Sequence, residues 1–272
     1  MNELGELRAV IFDWAGTTVD FGSRAPMGAF VEVFARFGVT ISISEARAPM
    51  GLPKRDHIAA LIADPAIAAR WAAAHGAPAG EAEIDEIYRQ FIPLNAAVVA
   101  DYAALVPGLL PVVATLRAAG LKIGSTTGYT RDIMARLTPA AARLGYQPDN
   151  LVCAGDLVAG RPTPLMMYRC FADLGVYPPR RVVKVDDTAP GIAEAVAAGA
   201  WAIGVTLSGN GCGLTDTELA ALSPDARDDI RSRVGRDLVA AGAHATLDTV
   251  ADLLPALAAI GARIRAGETP PG

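Results

Sequence analysis

Lysine is scarce in this 272-residue chain: only three of its 24 basic residues, Lys54, Lys122 and Lys184, carry an amine. Where arginine is otherwise preferred, a lysine marks a place for an amine that can lose its proton, which a guanidinium cannot do. Cysteine is equally rare. Cys153, Cys170 and Cys212 are scattered and odd in number, which argues against a disulfide framework or a zinc site and points to a reduced, cytoplasmic protein. No basic stripe is present, and a net charge of −5 argues against a nucleic-acid partner. A phosphate-type substrate remains compatible if a metal and a few cations line its site. Apolar runs such as Ala96–Leu116 are broken by Asp101 and Pro107, so no membrane span is expected. Met1 to Val10 is short and acidic, without the basic-then-apolar order of a signal peptide. What is abundant is core material: 52% of residues are hydrophobic, and 19% charge is too little for a disordered chain.

Short apolar runs at Arg8–Asp13, Leu121–Thr126, Leu151–Ala154, Val182–Asp186 and Trp201–Thr206 read as strands. From Leu121 onward they alternate with helical patterns through the 130s to Gly145, Pro164–Gly175 and Gly191–Gly199. Such alternation predicts an α/β fold with a Rossmann-like parallel sheet. Between Asp20 and Val99 the alternation stops. Amphipathic patterns at Pro26–Phe37, Lys54–Ala63, Ala66–His75 and Glu81–Ala104 predict an all-helical insertion above the carboxyl edge of the sheet. The expected domains are 1–20 with 100–266 as the core, 21–99 as a helical cap, and 267–272 as a disordered tail.

Asp13 closes the first strand and is followed at once by the turn Trp14-Ala15-Gly16-Thr17-Thr18. Open α/β sheets place ligands at such a strand end, where a carboxylate attacks an electrophile or holds a metal. Three further segments carry chemistry-bearing residues. Met50-Gly51-Leu52-Pro53-Lys54-Arg55-Asp56-His57 opens a helix, with Lys54 and His57 one turn apart on one face. It reads either as a solvated helix start or as a site for an amine nucleophile. Gly124-Ser125-Thr126-Thr127-Gly128-Tyr129 follows a strand, as a phosphate-binding corner or an ordinary Ser/Thr turn would. Val182–Thr188 is another strand ending in carboxylates, Asp186 and Asp187, the oxygen donors that Mg²⁺ prefers. His75 and His244 show no partner in the sequence.

Asp13-Trp14-Ala15-Gly16-Thr17-Thr18-Val19-Asp20 resembles the nucleophile motif of the haloacid dehalogenase superfamily, in the form typical of the phosphonatase (phosphonoacetaldehyde hydrolase) family. Phosphatases of the superfamily carry a second Asp two residues after the nucleophile, to protonate an alkoxide. Here that position is Ala15. The resemblance implies that Lys54 forms a Schiff base with the substrate aldehyde and that Thr127 and Arg161, of Gly160-Arg161-Pro162, hold the phosphoryl group. It implies Mg²⁺ on Asp13, Asp187 and the backbone carbonyl of Ala15, with Met50, His57 and Tyr129 around the imine. A homodimer through the cap and a place in 2-aminoethylphosphonate degradation follow in the same way. Several relatives have another Asp four residues after the metal ligand, where this chain has Gly191; Asp186 stands where some have Gly, and Lys184 receives no role.

The implied chemistry is coherent. A carbon–phosphorus bond breaks reluctantly because a carbanion leaves poorly, but an adjacent iminium accepts the electron pair as an enamine. No alkoxide forms, so Ala15 fits. The amine must first be neutral, which at pH 7 costs about 4.6 kcal/mol from a reference pKa near 10.4. Burial, Arg55 and a metal are candidates for lowering it. The expected activity is therefore Mg²⁺-dependent hydrolysis of phosphonoacetaldehyde. The rivals are a phosphomonoesterase or phosphomutase, a non-catalytic phospho-ligand sensor and, more remotely, a dehalogenase.

Overall fold

The computed structural model describes residues 4–271; the first three residues of the N-terminal stretch and Gly272 of the expected tail lie outside that range. Strand β1 (Ala9–Phe12) is buried at every position, as a strand covered by helices on both faces must be. Helices α1 (Ala25–Arg36), α2 (Ile43–Arg47), α3 (Lys54–Ala63), α4 (Pro65–His75) and α5 (Glu81–Val98) follow before the sheet resumes. The alternating part runs α6 (Leu109–Ala118), β2 (Lys122–Thr127), α7 (Arg131–Arg143), β3 (Val152–Cys153), α8 (Leu165–Leu174), β4 (Val182–Asp186), α9 (Ala189–Ala197) and β5 (Trp201–Val205). It closes with α10 (Asp216–Ala221), α11 (Pro224–Ala240), β6 (Ala245–Leu247) and α12 (Leu253–Arg265).

The described strands form one parallel sheet in the order β3-β2-β1-β4-β5-β6. This is the Rossmann-like α/β arrangement expected from the sequence. Its order reverses between β1 and β4, where Phe12 lies opposite Val185, and the crevice at such a reversal is where doubly wound sheets bind ligands. No described helix is long and apolar enough to cross a membrane.

Helix α5 is shorter than the predicted Glu81–Ala104. It ends at Val98 and tightens into a 3-10 turn at Val99–Tyr102, because the chain must pair again with the segment that left the sheet. The Asp20 amide donates to the Ala104 carbonyl (3.1 Å) and the Val106 amide to the Thr18 carbonyl (2.9 Å). The helical insertion is thus entered and left through two segments bonded to each other. Helix α2 carries a capping box in which Ser42 and Glu45 satisfy each other's backbone amides. Residues 267–271 have no regular structure, although Glu268 pairs with Arg263 and the Pro271 carbonyl meets His244 Nε2.

Within the insertion, α5 packs against α1 and α3, and α3 against α4, around buried Phe30, Phe34, Ile58, Leu61 and Phe91. The Phe30 ring stacks on His57 (4.0 Å) and on Phe91 (4.3 Å). One turn along α5 from Phe91, Asn95 is fully buried, and neither its amide nitrogen nor its oxygen has a hydrogen-bond partner. Such a group costs about 1–3 kcal/mol. Asn95→Leu, which keeps the number and branching of the side-chain heavy atoms, is expected to raise the melting temperature by several degrees, as thermal denaturation will measure.

Candidate active site

Asp13 leaves β1 and Asp187 leaves β4 at the point where the sheet order reverses. The Asp13 amide donates to the Val185 carbonyl (3.0 Å), so the two strand ends advance together. Asp13, Asp186 and Asp187 are buried, with carboxylate oxygens within 4.8 Å of one another. The turn after Asp13 passes so close that a Cβ on Gly16, whose φ is +86°, would lie 2.3 Å from Asp187 Oδ2. Only glycine combines that backbone with that approach. Asp187 also accepts from the Thr17 hydroxyl (3.3 Å) and the Asn210 amide (2.6 Å).

Beneath these carboxylates lies Arg161, itself buried. Its Nη2 donates to Asp13 Oδ1 (2.7 Å) and the Thr126 carbonyl (2.9 Å) and lies 3.2 Å from Asp186 Oδ2, while Nε faces Glu194 Oε2 at 3.2 Å. Lys184, fully buried, lies 3.2 Å from Glu194 Oε2 and 3.3 Å from Asp186 Oδ2 and donates to the Thr126 hydroxyl. Lys184 therefore has a definite place under the site, contrary to the sequence reading that left it without one. The signal was a charge inside the apolar run Val182–Val185, but its partners come from β2 and α9. Glu194, Thr126, Ser23 and Asn210 were also missed; Ser23 lines the cavity with Asp13 and Lys54.

Four carboxylates thus face two basic side chains, Arg161 and Lys184. The imbalance appears in the acidities. Burial, then repulsion by Asp186, raises the Asp13 pKa to about 6 against the pull of Arg161, and burial with Asp13 and Asp186 holds Asp187 well above the carboxylate range. Three clustered oxygen donors short of two positive charges suit a divalent cation such as Mg²⁺.

Lys54 approaches from the insertion. It is only 3% exposed, and its Nζ lies 3.6 Å from Met50 Sδ, 5.1 Å from the Tyr129 ring centre and 5.6 Å from that of Phe30. With an apolar surround, burial lowers its pKa to about 8, with Asp13 opposing and Arg161 assisting. Arg55 has no part in this: it turns outward to Glu81 (2.6 Å) and Asp85 (2.7 Å) on α5. His57 is fully buried, bonded through Nε2 to the Ala46 carbonyl (2.9 Å). A carbonyl only accepts, so Nε2 carries the proton and Nδ1 has none. Burial and the neighbouring Lys54 push its pKa down to about 2.

One cavity is lined by Asp13, Ala15, Met50, Lys54, Thr127, Tyr129 and Arg161. Asp187 stands behind it in the carboxylate cluster, and His57 lies beneath Lys54 through Phe30 and Ala46. Thr127 Oγ1 accepts the Tyr129 amide (3.1 Å), and burial keeps the Tyr129 phenol protonated.

A strand-end carboxylate beside a second acidic strand end, at the reversal of a 3-2-1-4-5-6 sheet, is the pattern of the haloacid dehalogenase-like hydrolases, whose family model matches residues 7–199. The chain is 50% identical over 264 residues to the phosphonoacetaldehyde hydrolase of Paraburkholderia phytofirmans, spanning 97% of this chain and 99% of that one. It is 48% identical to that of Aeromonas hydrophila, spanning 97% and 96%. The crystal structure of a phosphonoacetaldehyde hydrolase-like protein from Oleispira antarctica superposes with a TM-score of 0.96 at 40% identity, covering 98% and 97% of the two chains. The chain belongs to the haloacid dehalogenase-like hydrolases and, within them, to the phosphonoacetaldehyde hydrolase family.

Gly191, which departs from the second aspartate of several superfamily members, has a steric reason. A Cβ there would lie 2.0–2.3 Å from the carboxylate atoms of Asp186. Asp186 therefore fills the space that a side chain at 191 would take. Gly191→Asp alone should lower stability by about 1–3 kcal/mol through overpacking and weaken cation binding. Combining it with Asp186→Gly should recover much of both, measured by thermal melts and Mn²⁺ titration.

Proposed function

We propose that this chain hydrolyses the carbon–phosphorus bond of phosphonoacetaldehyde to acetaldehyde and phosphate. The observation that carries this reading is Lys54, a buried amine without a carboxylate partner, in the same cavity as the buried carboxylate Asp13. The names of the relatives support the substrate. In this reading residues 21–99 act as the cap that brings Lys54, and residues 1–20 with 100–266 act as the core.

At pH 7 an amine of pKa about 8 needs about 1.4 kcal/mol to become neutral, against about 4.6 for an unperturbed lysine. Neutral Lys54 adds to the aldehyde carbon and, with uptake of one proton from solvent and loss of water, forms a protonated imine. Asp13 attacks phosphorus, the carbon–phosphorus bond breaks, and its electron pair moves into the iminium to leave an enamine on Lys54 and a phosphoryl group on Asp13. The enamine gains a proton on carbon and water releases acetaldehyde; a second water releases phosphate. Arg161 and Thr127 hold the phosphoryl oxygens. His57, too weakly basic to take a proton, supports Lys54 through Phe30. Mg²⁺ would be held by Asp13, Asp187 and the Ala15 carbonyl and would supply the charge that lets a phosphonate dianion approach a carboxylate. Phosphate monoesters suit the site less, because Ala15 offers no acid for an alkoxide. The setting that accompanies this reading is 2-aminoethylphosphonate breakdown in the cytoplasm, by a homodimer joined through the cap.

Borohydride added with phosphonoacetaldehyde should leave a reduced adduct on the Lys54 peptide; an unmodified protein that still binds Mg²⁺ sinks the reading. The rate of imine formation should rise with pH toward a plateau above about 8. The buried amine also costs stability. Its folded pKa lies below its unfolded one, so the cost is full below pH 8 and vanishes as pH rises through about 10.5. Lys54→Met should therefore abolish cleavage yet stabilise the protein at pH 7 by up to about 3 kcal/mol, visible as a higher melting temperature.

A further inference from the structure

Arg47, the last residue of α2, is a cation with no carboxylate among its hydrogen-bond partners. Nη1 donates to the carbonyls of Gly22 (2.8 Å), Ser23 (3.3 Å) and Asn210 (3.4 Å) and to Asn210 Oδ1 (3.1 Å), and Nη2 donates to the Gly213 carbonyl (3.2 Å). The fit is close enough that a Cβ on Gly213 would lie 2.9 Å from the guanidinium. Placing a half-buried charge among neutral oxygens is a poor way to gain stability, but a planar fork with five donors is well suited to fixing several carbonyls at once.

Those carbonyls belong to two places that matter. Gly22 and Ser23 lie where the chain leaves the core for the helical insertion. Asn210 lies in the loop after β5, and its backbone amide is the donor that holds Asp187 Oδ2 at 2.6 Å. The Asn210 side chain is bound to Arg47 from both ends, because its Nδ2 donates to the Arg47 carbonyl (3.3 Å). That same carbonyl accepts the Met50 amide (3.0 Å) and so begins the turn that leads to Lys54. The next residue, Gly51, sits so near the core that a Cβ there would lie 2.4 Å from the Thr188 hydroxyl.

We propose that Arg47 is a positioning residue that couples the seating of the insertion, and with it the delivery of Lys54, to the orientation of Asp187 through Asn210. The inference rests on the reading of Asp187 as a cation ligand. With the insertion seated, Arg47 locks Asn210 and its amide fixes one Asp187 oxygen. When the insertion lifts, Asn210 loses the partners on both sides of its amide group and Asp187 loses a rigid donor. Coupling of this kind is reciprocal, so a cation bound at Asp187 draws Lys54 into the cavity before substrate arrives.

The test is direct Mn²⁺ binding, followed by electron paramagnetic resonance without substrate, in the full-length protein. Arg47→Met and Asn210→Ala should each weaken binding about 5- to 20-fold. The double variant should be little weaker than either single one, as for two parts of one device. Arg47→Lys keeps the charge but not the fork and should not restore affinity. In the wild type, Mn²⁺ should slow acetylation of Lys54 by acetic anhydride; in Arg47→Met it should not. Circular dichroism establishes that the variants are folded, and Asn210→Ala serves if Arg47→Met is not. If wild type binds Mn²⁺ and a folded Arg47→Met binds it equally well, or the two losses simply add, the coupling is overturned. If wild type binds no better than Asp187→Asn, the cation reading falls and takes the coupling with it.

Discussion

Arg161 has almost no water around it, and its guanidinium must find every partner inside the protein. It takes Asp13 from the end of β1, Thr126 from β2, Asp186 from β4 and Glu194 from α9. Removing one partner of a buried pair costs far more than the pair contributes, because the other charge is left stranded. The ends of three strands and a helix are therefore set by a single requirement, and the carboxyl edge of the sheet cannot form piecemeal. Lys184 ties the same oxygens from below.

The cavity joins two surroundings that act on charge in the same physical way with opposite chemical results. On the side of the insertion, rings and a thioether surround Lys54, and burial loosens its proton. On the side of the sheet, burial together with crowding makes Asp13 and Asp187 hold protons more tightly than free carboxylates do. An amine of lowered pKa and a crowded cluster of carboxylates normally call for different solvents. Here they meet because one is carried by helices with an apolar interior and the other by strand ends paved with polar groups.

Much of this was legible in the sequence, and the reason differs from part to part. β1, β4 and β5 are buried at every position, so each reads as a short, mainly apolar run, broken in β4 by Lys184 and the closing Asp186, and the parallel sheet follows. β6, with three residues, and α2, with five, are too short to carry a period. Asp13, Lys54, Thr127 and Arg161 were singled out from motifs in four separate segments, and the structure gathers them around one cavity. Glu194 escaped because nothing local distinguishes a charge with a buried partner from one that faces water, and Lys184, though marked by the apolar run around it, received no role because Thr126 and Glu194 lie on other elements. Arg55 shows the converse: adjacent to Lys54 in sequence, it lies on the opposite side of the helix start and answers to Glu81 and Asp85. Gly191 looked like a loss until the carboxylate of Asp186 was seen in the same space.

The two segments that connect the sheet to the insertion run side by side, Asp20 bonded to Ala104 and Val106 to Thr18. Two links set apart would permit twisting and sliding as well as tilting. Two links laced into a narrow ribbon leave one soft rotation, about the line of the ribbon, much as a door has one degree of freedom where a tethered ball has several. In the proposed reading, movement of Lys54 toward or away from Asp13 would then follow an arc rather than a search, and the amine would return to the same place each time.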